Sequence, residues 1–386
     1  MNRTKLPFST APYILFLLLF PGTILYYVAT TNGLIPALIT GYFGKTSAAA
    51  LAILAPLYLW TTLRTGRIAV IDLTYFGFLL FFLCIVIFNK EEESYIFTWH
   101  MVSIAQCAAV FLICKGAFRV NRLPGLALKT AWIASSACIL IFTVDGRFSL
   151  RELPSDVDKI PGYQTFALCY LLLSVVLVTG VRSLPTRCIA HAVAIACLYI
   201  NGARSEFVAY ALFAATYEFL SSKNKGLPIL ALIIVAAGSV ATISSGIVEI
   251  PDSRVANLLD LQHDNSSNER SRIASEGLNK IMESPILGNY GKYEKGEYIH
   301  NILSAWNDLG LFGFLFILII SIGPAAKLGI NIALGRAQTN REISASSILA
   351  VTIVLLLVGK YFTYLLLPAA LGLYSSSKLR IAQVEK

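Results

Sequence analysis

Residues 295–325 read KGEYIHNILSAWNDLGLFGFLFILIISIGPA. The stretch opens with a lysine and a glutamate, and from Leu309 to Gly323 it carries no charge at all. Crossing a bilayer takes about 20 mostly apolar residues. The run from 301 to 325 therefore reads as a membrane span entered from a charged loop, with His300 and Asn301 side by side at its lip. The question it raises is whether that histidine is an interfacial residue or a catalytic base.

Working outward, the same kind of run recurs. Hydrophobic residues make up 56% of the 386 and charged residues 14%, where a soluble domain carries about 25%. Apolar stretches predict an all-α, polytopic membrane helix bundle of about twelve spans, at 11–30, 46–63, 68–88, 94–114, 126–144, 163–181, 187–201, 206–221, 227–245, 301–325, 343–358 and 361–376. The segment 33–43 reads as interfacial. Organisation follows as a first membrane block over 1–245, a large loop over 246–299, and the C-terminal spans over 300–386.

Lys and Arg concentrate in cytoplasmic loops. TLRTGR, KGAFRVNR, RSLPTR and SSKNKG fall in alternate loops, with Arg3 and Lys5 before the first span and Lys378 and Arg380 after the last. Both termini are expected on the cytoplasmic side, and the acidic NKEEE at 89–93 on the other. The formal charge of +9 then reflects topology and contact with anionic lipid, and no basic soluble face offers itself to nucleic acid. The N-terminus reads as an uncleaved first span. All seven cysteines lie in apolar segments without metal-site spacing, so neither disulfides nor a zinc site is expected.

The large loop, on the outer side in this orientation, holds nine acidic and six basic residues. Loops of this length are functional or disordered. Within it, SSNERSRIASEGLNKIMESP predicts an amphipathic helix that projects little into solvent. Ser266 and Glu269 match a capping box, Ile273, Leu278, Ile281 and Met282 form an apolar stripe, and Pro285 stops the helix. Arg270 and Arg272 are placed in its first turn, where free backbone N–H groups and the helix dipole already attract anions. Two guanidiniums added there suit phosphate or pyrophosphate. The competing reading pairs them with Glu269, Glu276 or lipid head groups.

The turn NGARSEF at 201–207 places Arg204 at a bilayer boundary, a functional position by default. Its alternative is snorkelling, with Glu206 as counter-charge. His100 and His191 lie within spans and read as hydrogen-bonded packing residues. His300 stands nearest the loop cluster, and imidazole is the natural base for a hydroxyl at neutral pH. Asn301 orients a sugar or caps the helix. Asp308 lies about 12 Å further along that helix, too far to orient His300, and is expected to pair with a helix neighbour.

Three stretches carry a resemblance: the outer turn ARSEF, the loop sequence NERSRIASEGLNKIMESPILGNYG with its arginine, helix and Pro-x-x-Gly-x-x-Gly, and His-Asn followed by DLGLFGFL. In that order the chain resembles the O-antigen polymerase and O-antigen ligase superfamily of bacterial envelope glycosyltransferases, most closely at 201–315. The resemblance implies transfer of glycan from an undecaprenyl-pyrophosphate-linked donor to an acceptor hydroxyl on the periplasmic face of the inner membrane. It implies no metal and no cofactor. Arg204 and Arg270, with Arg272 as a neighbour able to substitute, would hold the pyrophosphate; His300 would be the base, and Asn301 and Glu206 would support the site. The family often has an aromatic residue four positions after the loop arginine, and Ala274 stands there instead. The expected activity is polymerisation onto a lipid-linked repeat unit, leaving room for a chain-length regulator protein as partner. Ligation to lipid A core is the alternative, and a polysaccharide-related transporter is a reading from a different class.

Overall fold

The computed structural model describes residues 10–36, 39, 41–66, 68–90, 94–117, 125–144, 147–148, 150, 162–222, 265–294, 296–336 and 338–384. Helices dominate because the apolar runs leave the backbone no partner but itself; in a bilayer each main-chain polar group must be satisfied within its own segment. In chain order they are α1 (Ala11–Thr31), α2 (Tyr42–Thr65), α3 (Val70–Phe88), α4 (Ser94–Ala117), α5 (Leu126–Ile141), α6 (Tyr163–Gly180), α7 (Leu184–Asn201), α8 (Arg204–Ser221), α9 (Asn265–Glu283), α10 (Leu303–Ala333), α11 (Asn340–Val358) and α12 (Leu366–Val384). A two-residue antiparallel pairing, β1 (Thr143–Val144) with β2 (Arg147–Phe148), follows α5.

Eight of these helices are long and apolar enough to cross a membrane: α1, α2, α3, the stretch Tyr95–Ala117 of α4, α6, α7, α10 and α11. The expected fifth span is a shorter apolar helix of 16 residues. The expected eighth appears as α8, and the ninth, 227–245, lies outside the described residues. The last differs from expectation. Its helix begins at Leu366 rather than 361, two residues before Pro368, which is tolerated in a first turn but not deeper. Residues 359–365 are instead a junction between α11 and α12.

The chain divides into two compact units. The first comprises Met1–Phe16, Gly44–Asn121 and Gln262–Lys386, so it holds α3, α4 and α9–α12 and nearly all of α2. It groups α9, from the later part of the large loop, with α2–α4 and α10–α12. Within it α12 runs along α4 and α11, and α3 lies against α4 and α10. Gly372 lets α12 approach α4 to main-chain contact: a β-carbon there would stand 2.5 Å from the Phe111 carbonyl oxygen. Rings of Phe78, Phe82 and Phe362 pack at centroid distances of 5.1–6.4 Å. Lys115 at the end of α4 forms a buried ion pair with Asp72 at the start of α3, and Tyr58 donates to the same carboxylate at 2.8 Å. Ser375 of α12 donates to its other oxygen.

The second unit, Leu17–Phe43 and Arg122–Leu261, holds most of α1 and α5–α8. Polar side chains join its helices: Trp132 Nε1 donates to Ser174 Oγ at 2.9 Å, and Ser136 Oγ meets Tyr170 OH at 2.7 Å. Arg187 grips Glu218 with two hydrogen bonds of 2.7 and 2.8 Å, and His191 bridges Glu218 and Tyr210.

Candidate functional site

The site is assembled from the loop downward. The buried face of α9 is formed by Ile273, Gly277 and Ile281. Gly277 lies so close to the Ile299 side chain that any β-carbon there would overlap it. That contact fixes Ile299, and with it Tyr298 and His300 on either side. The other half of the expected apolar stripe, Leu278 and Met282, is exposed.

After α9 the chain turns through Pro285–Gly288 and docks on a break in α10. Gly310 sits at φ 68°, ψ −173° inside the helix, a left-handed geometry that costs other residues strain. The break frees the Leu311 N–H, which donates to the carbonyls of Pro285 and Ile286 at 3.1 and 3.2 Å. Gly288, at φ 80°, is the other half of the contact: a β-carbon there would stand 2.6 Å from the Gly310 nitrogen. Main chain thus touches main chain, which explains in physical terms the glycines in PILG and DLG.

Beyond the turn a buried polar network secures the chain as it returns to α10. Tyr290 and Tyr361 occupy the two ring nitrogens of His100 at 2.9 and 2.8 Å. Tyr361 also donates to Asp308, whose carboxylate accepts from Tyr293 at 3.0 Å and from its neighbour Asn307 at 2.9 Å. His100 is therefore a packing residue, as expected, while Asp308 has the helix neighbour Asn307 as one partner but is completed by Tyr293 from the loop and Tyr361 from the junction. Asn301 caps: its Oδ1 accepts from the Leu303 N–H at 2.9 Å.

His300 itself is half-buried, its ring 4.4 Å from that of Tyr298. Among the described residues neither of its nitrogens has a hydrogen-bond partner. Burial, and then the positive charges of Arg270 and Lys360, hold its pKa down to about 4. The ring is a neutral imidazole with an available lone pair. Arg270 reaches from α9 to the 359–365 junction, where its Nη1 would lie 3.5 Å from a β-carbon on Gly359. Among the described residues it makes no hydrogen bond or ion pair. Its charge also acts on Tyr298, whose pKa burial raises against it.

Arg272 behaves differently. Exposed like Arg270, it is held by three carboxylates, Glu269 at 2.5 Å, Glu276 at 2.7 Å and Glu297 at 3.3 Å. The helix also starts earlier than the capping box placed it. Among the described residues it already runs from Asn265, so Arg270 and Arg272 lie beyond the first turn. Their own N–H groups are spent within the helix, and the dipole argument for an anion site does not apply to them. What remains at Arg270 is a side-chain cation that meets no carboxylate among the described residues.

No protein-family model matches the chain, and no curated protein matches it.

Lys360 is the residue that sequence reasoning missed. It is the lone charge in the junction GKYFTY, its Nζ 4.5 Å from the Tyr364 ring centroid. A lysine between two apolar helices is itself a signal, but the expected span from 361 absorbed its neighbourhood. Arg204 and Glu206 belong to the second unit. Gly202, left-handed at φ 78°, ends α7, and Arg204 opens α8 half-buried. Glu206 is buried and accepts from Ser205 Oγ at 2.9 Å. Nearby, both polar atoms of the Asn201 amide are buried without a partner among the described residues. Among the described residues no three His, Cys, Asp or Glu side chains gather as metal ligands do.

Proposed function

We propose that this chain is a membrane-embedded surface-polysaccharide polymerase. In this reading it has about twelve spans and lies in the inner membrane, with both termini cytoplasmic and the 246–299 loop periplasmic. The donor is a glycan on undecaprenyl pyrophosphate, and the acceptor is the hydroxyl of another lipid-linked repeat unit. The observation that supports it most is the state of His300: a neutral imidazole with no hydrogen-bond partner among the described residues, beside the cations of Arg270 and Lys360.

The chemistry follows from that arrangement. His300 takes the proton of the acceptor hydroxyl, whose oxygen attacks the anomeric carbon of the donor sugar. The bond from that carbon to the pyrophosphate oxygen breaks, and undecaprenyl pyrophosphate leaves with the bonding electrons. Arg270 and Lys360 stabilise the charge that develops on it. Binding the anion also offsets the two charges that depress His300, so the base strengthens when the donor arrives. Arg272, already shared among three carboxylates, is assigned a structural part. The role that the resemblance gives Arg204 is tested separately, by Arg204→Ala.

The test is a silver-stained lipopolysaccharide gel of a deletion strain complemented with wild type or His300→Ala. Core bearing a single repeat unit in the deletion and the variant is the expected result. Bare core, with polymer accumulating on the lipid carrier, would instead assign ligation. An unchanged ladder would overturn the proposal.

A further inference from the structure

The apolar side of α9 that does not pack on Ile299 continues into the turn after it. Leu278, Met282, Ile286 and Leu287 are exposed at 48%, 76%, 58% and 79%. Two separate observations indicate what covers them. The main chain of Pro285 and Ile286 is bonded to α10 at Leu311, and from there α10 exposes Phe312, Leu315 and Ile319. The patch is thus continuous with the outer flank of a helix long and apolar enough to cross a membrane.

The second observation is Trp306. Its indole N–H donates to the Pro285 carbonyl at 2.8 Å, and its ring stacks on Phe314 with centroids 4.9 Å apart. Tryptophan with an apolar body and one bonded polar end sits at the headgroup level of membranes. Pro285 shares that level, and the bulky side chains just after it have acyl chain beside them. On a different side of α9, Arg272 and its three carboxylates form a charged cluster suited to water.

We propose that α9 and the Pro285–Gly288 turn lie in the membrane interface on the loop's side of the bilayer. Met282, Ile286 and Leu287 are inserted among lipid acyl chains to a depth of roughly 5–10 Å. The partner is the lipid leaflet itself, not another protein. The interface holds Arg270 near the height of lipid phosphates and stands whether or not the transferase reading does.

Site-directed spin labelling in phospholipid nanodiscs tests it, with the exposed Cys84 and Cys188 replaced by serine. Labels are placed singly at Met282→Cys and Leu287→Cys, with Glu276→Cys as the aqueous control. The expected result is collision with dissolved oxygen exceeding collision with a water-soluble nickel chelate at 282 and 287, and the reverse at 276. Equal nickel access at all three sites would overturn the proposal. So would protection of 282 and 287 from both reagents, which would mean that a second copy of the chain covers the patch. The two labelled sites are on different elements, so loss of fold in one variant leaves the other to decide.

Discussion

Along α4, His100 and Lys115 are separated by about 22 Å of helix, and the polar groups around them are handled differently. At the Lys115 end the cation is buried against Asp72, and Tyr58 and Ser375 complete that carboxylate. Charge there is matched and dry. Past the His100 end the ring nitrogens of His100 and the Asp308 carboxylate are also satisfied, although Asn307 Oδ1 is buried without a partner among the described residues. Just above that network Arg270 meets no carboxylate among the described residues and His300 has no hydrogen-bond partner among them. One end of the unit uses charge to join α2, α3, α4 and α12. The other keeps a cation and a base open to something that arrives from outside. A completed cluster is a reason to expect a structural role, and an incomplete one beside a loop is a reason to look for a ligand.

That contrast can be broken at several points. His300→Gln retains hydrogen bonding but cannot accept the proton, and should lower the transfer rate about 10²–10⁴-fold in a reconstituted assay; near-normal turnover would remove the general-base role. Lys115→Met should leave Asp72 buried without its cation and destabilise the fold by about 3–5 kcal/mol in detergent melts. Adding Asp72→Leu to it should recover most of the loss. Arg270→Ala should lower turnover about 10²–10³-fold, whereas Arg272→Ala, which removes only exposed ion pairs, should change stability by about 0–1 kcal/mol and activity little. Equal effects at the two arginines would erase the distinction drawn between them.

The smallest expected effect is on the pH profile. The neutral imidazole is the active form, so activity is lost as pH falls through the pKa of His300. In the free enzyme, reported by kcat/KM, that acidic limb belongs near pH 4. In the donor complex, reported by kcat, the bound anion offsets Arg270 and Lys360 and the limb should move up toward the ordinary 6.5. Coincident limbs would mean that the donor does not sit beside these cations.

Much of this was legible in the chain because it depends on local spacing. The apolar runs announce the membrane helices, and Glu269 and Glu276 lie three residues before and four after Arg272, where helix geometry makes them partners. The expected start of α9 was displaced because Ser266 and Glu269 satisfy a capping pattern from inside the helix as well as at its edge. The His100–Tyr290–Tyr361 network was illegible for another reason. Its members are 190 and 261 residues apart, and nothing in any one segment says that they meet. Lys360 was overlooked because the apolar residues after it resemble the beginning of a span, while the structure reserves them for a junction.

The contact between Gly288 and Gly310 has a consequence for exchange between proteins. Because the Leu311 amide is satisfied by Pro285 and Ile286 rather than by its own helix, the loop supplies a missing turn of α10. A chimera that swaps the loop and stops at its apparent end, residue 299, would cut through this shared ladder. The portable module runs from Asn265 to Leu311, across the boundary between loop and helix, and donors of a replacement must bring both glycines with them.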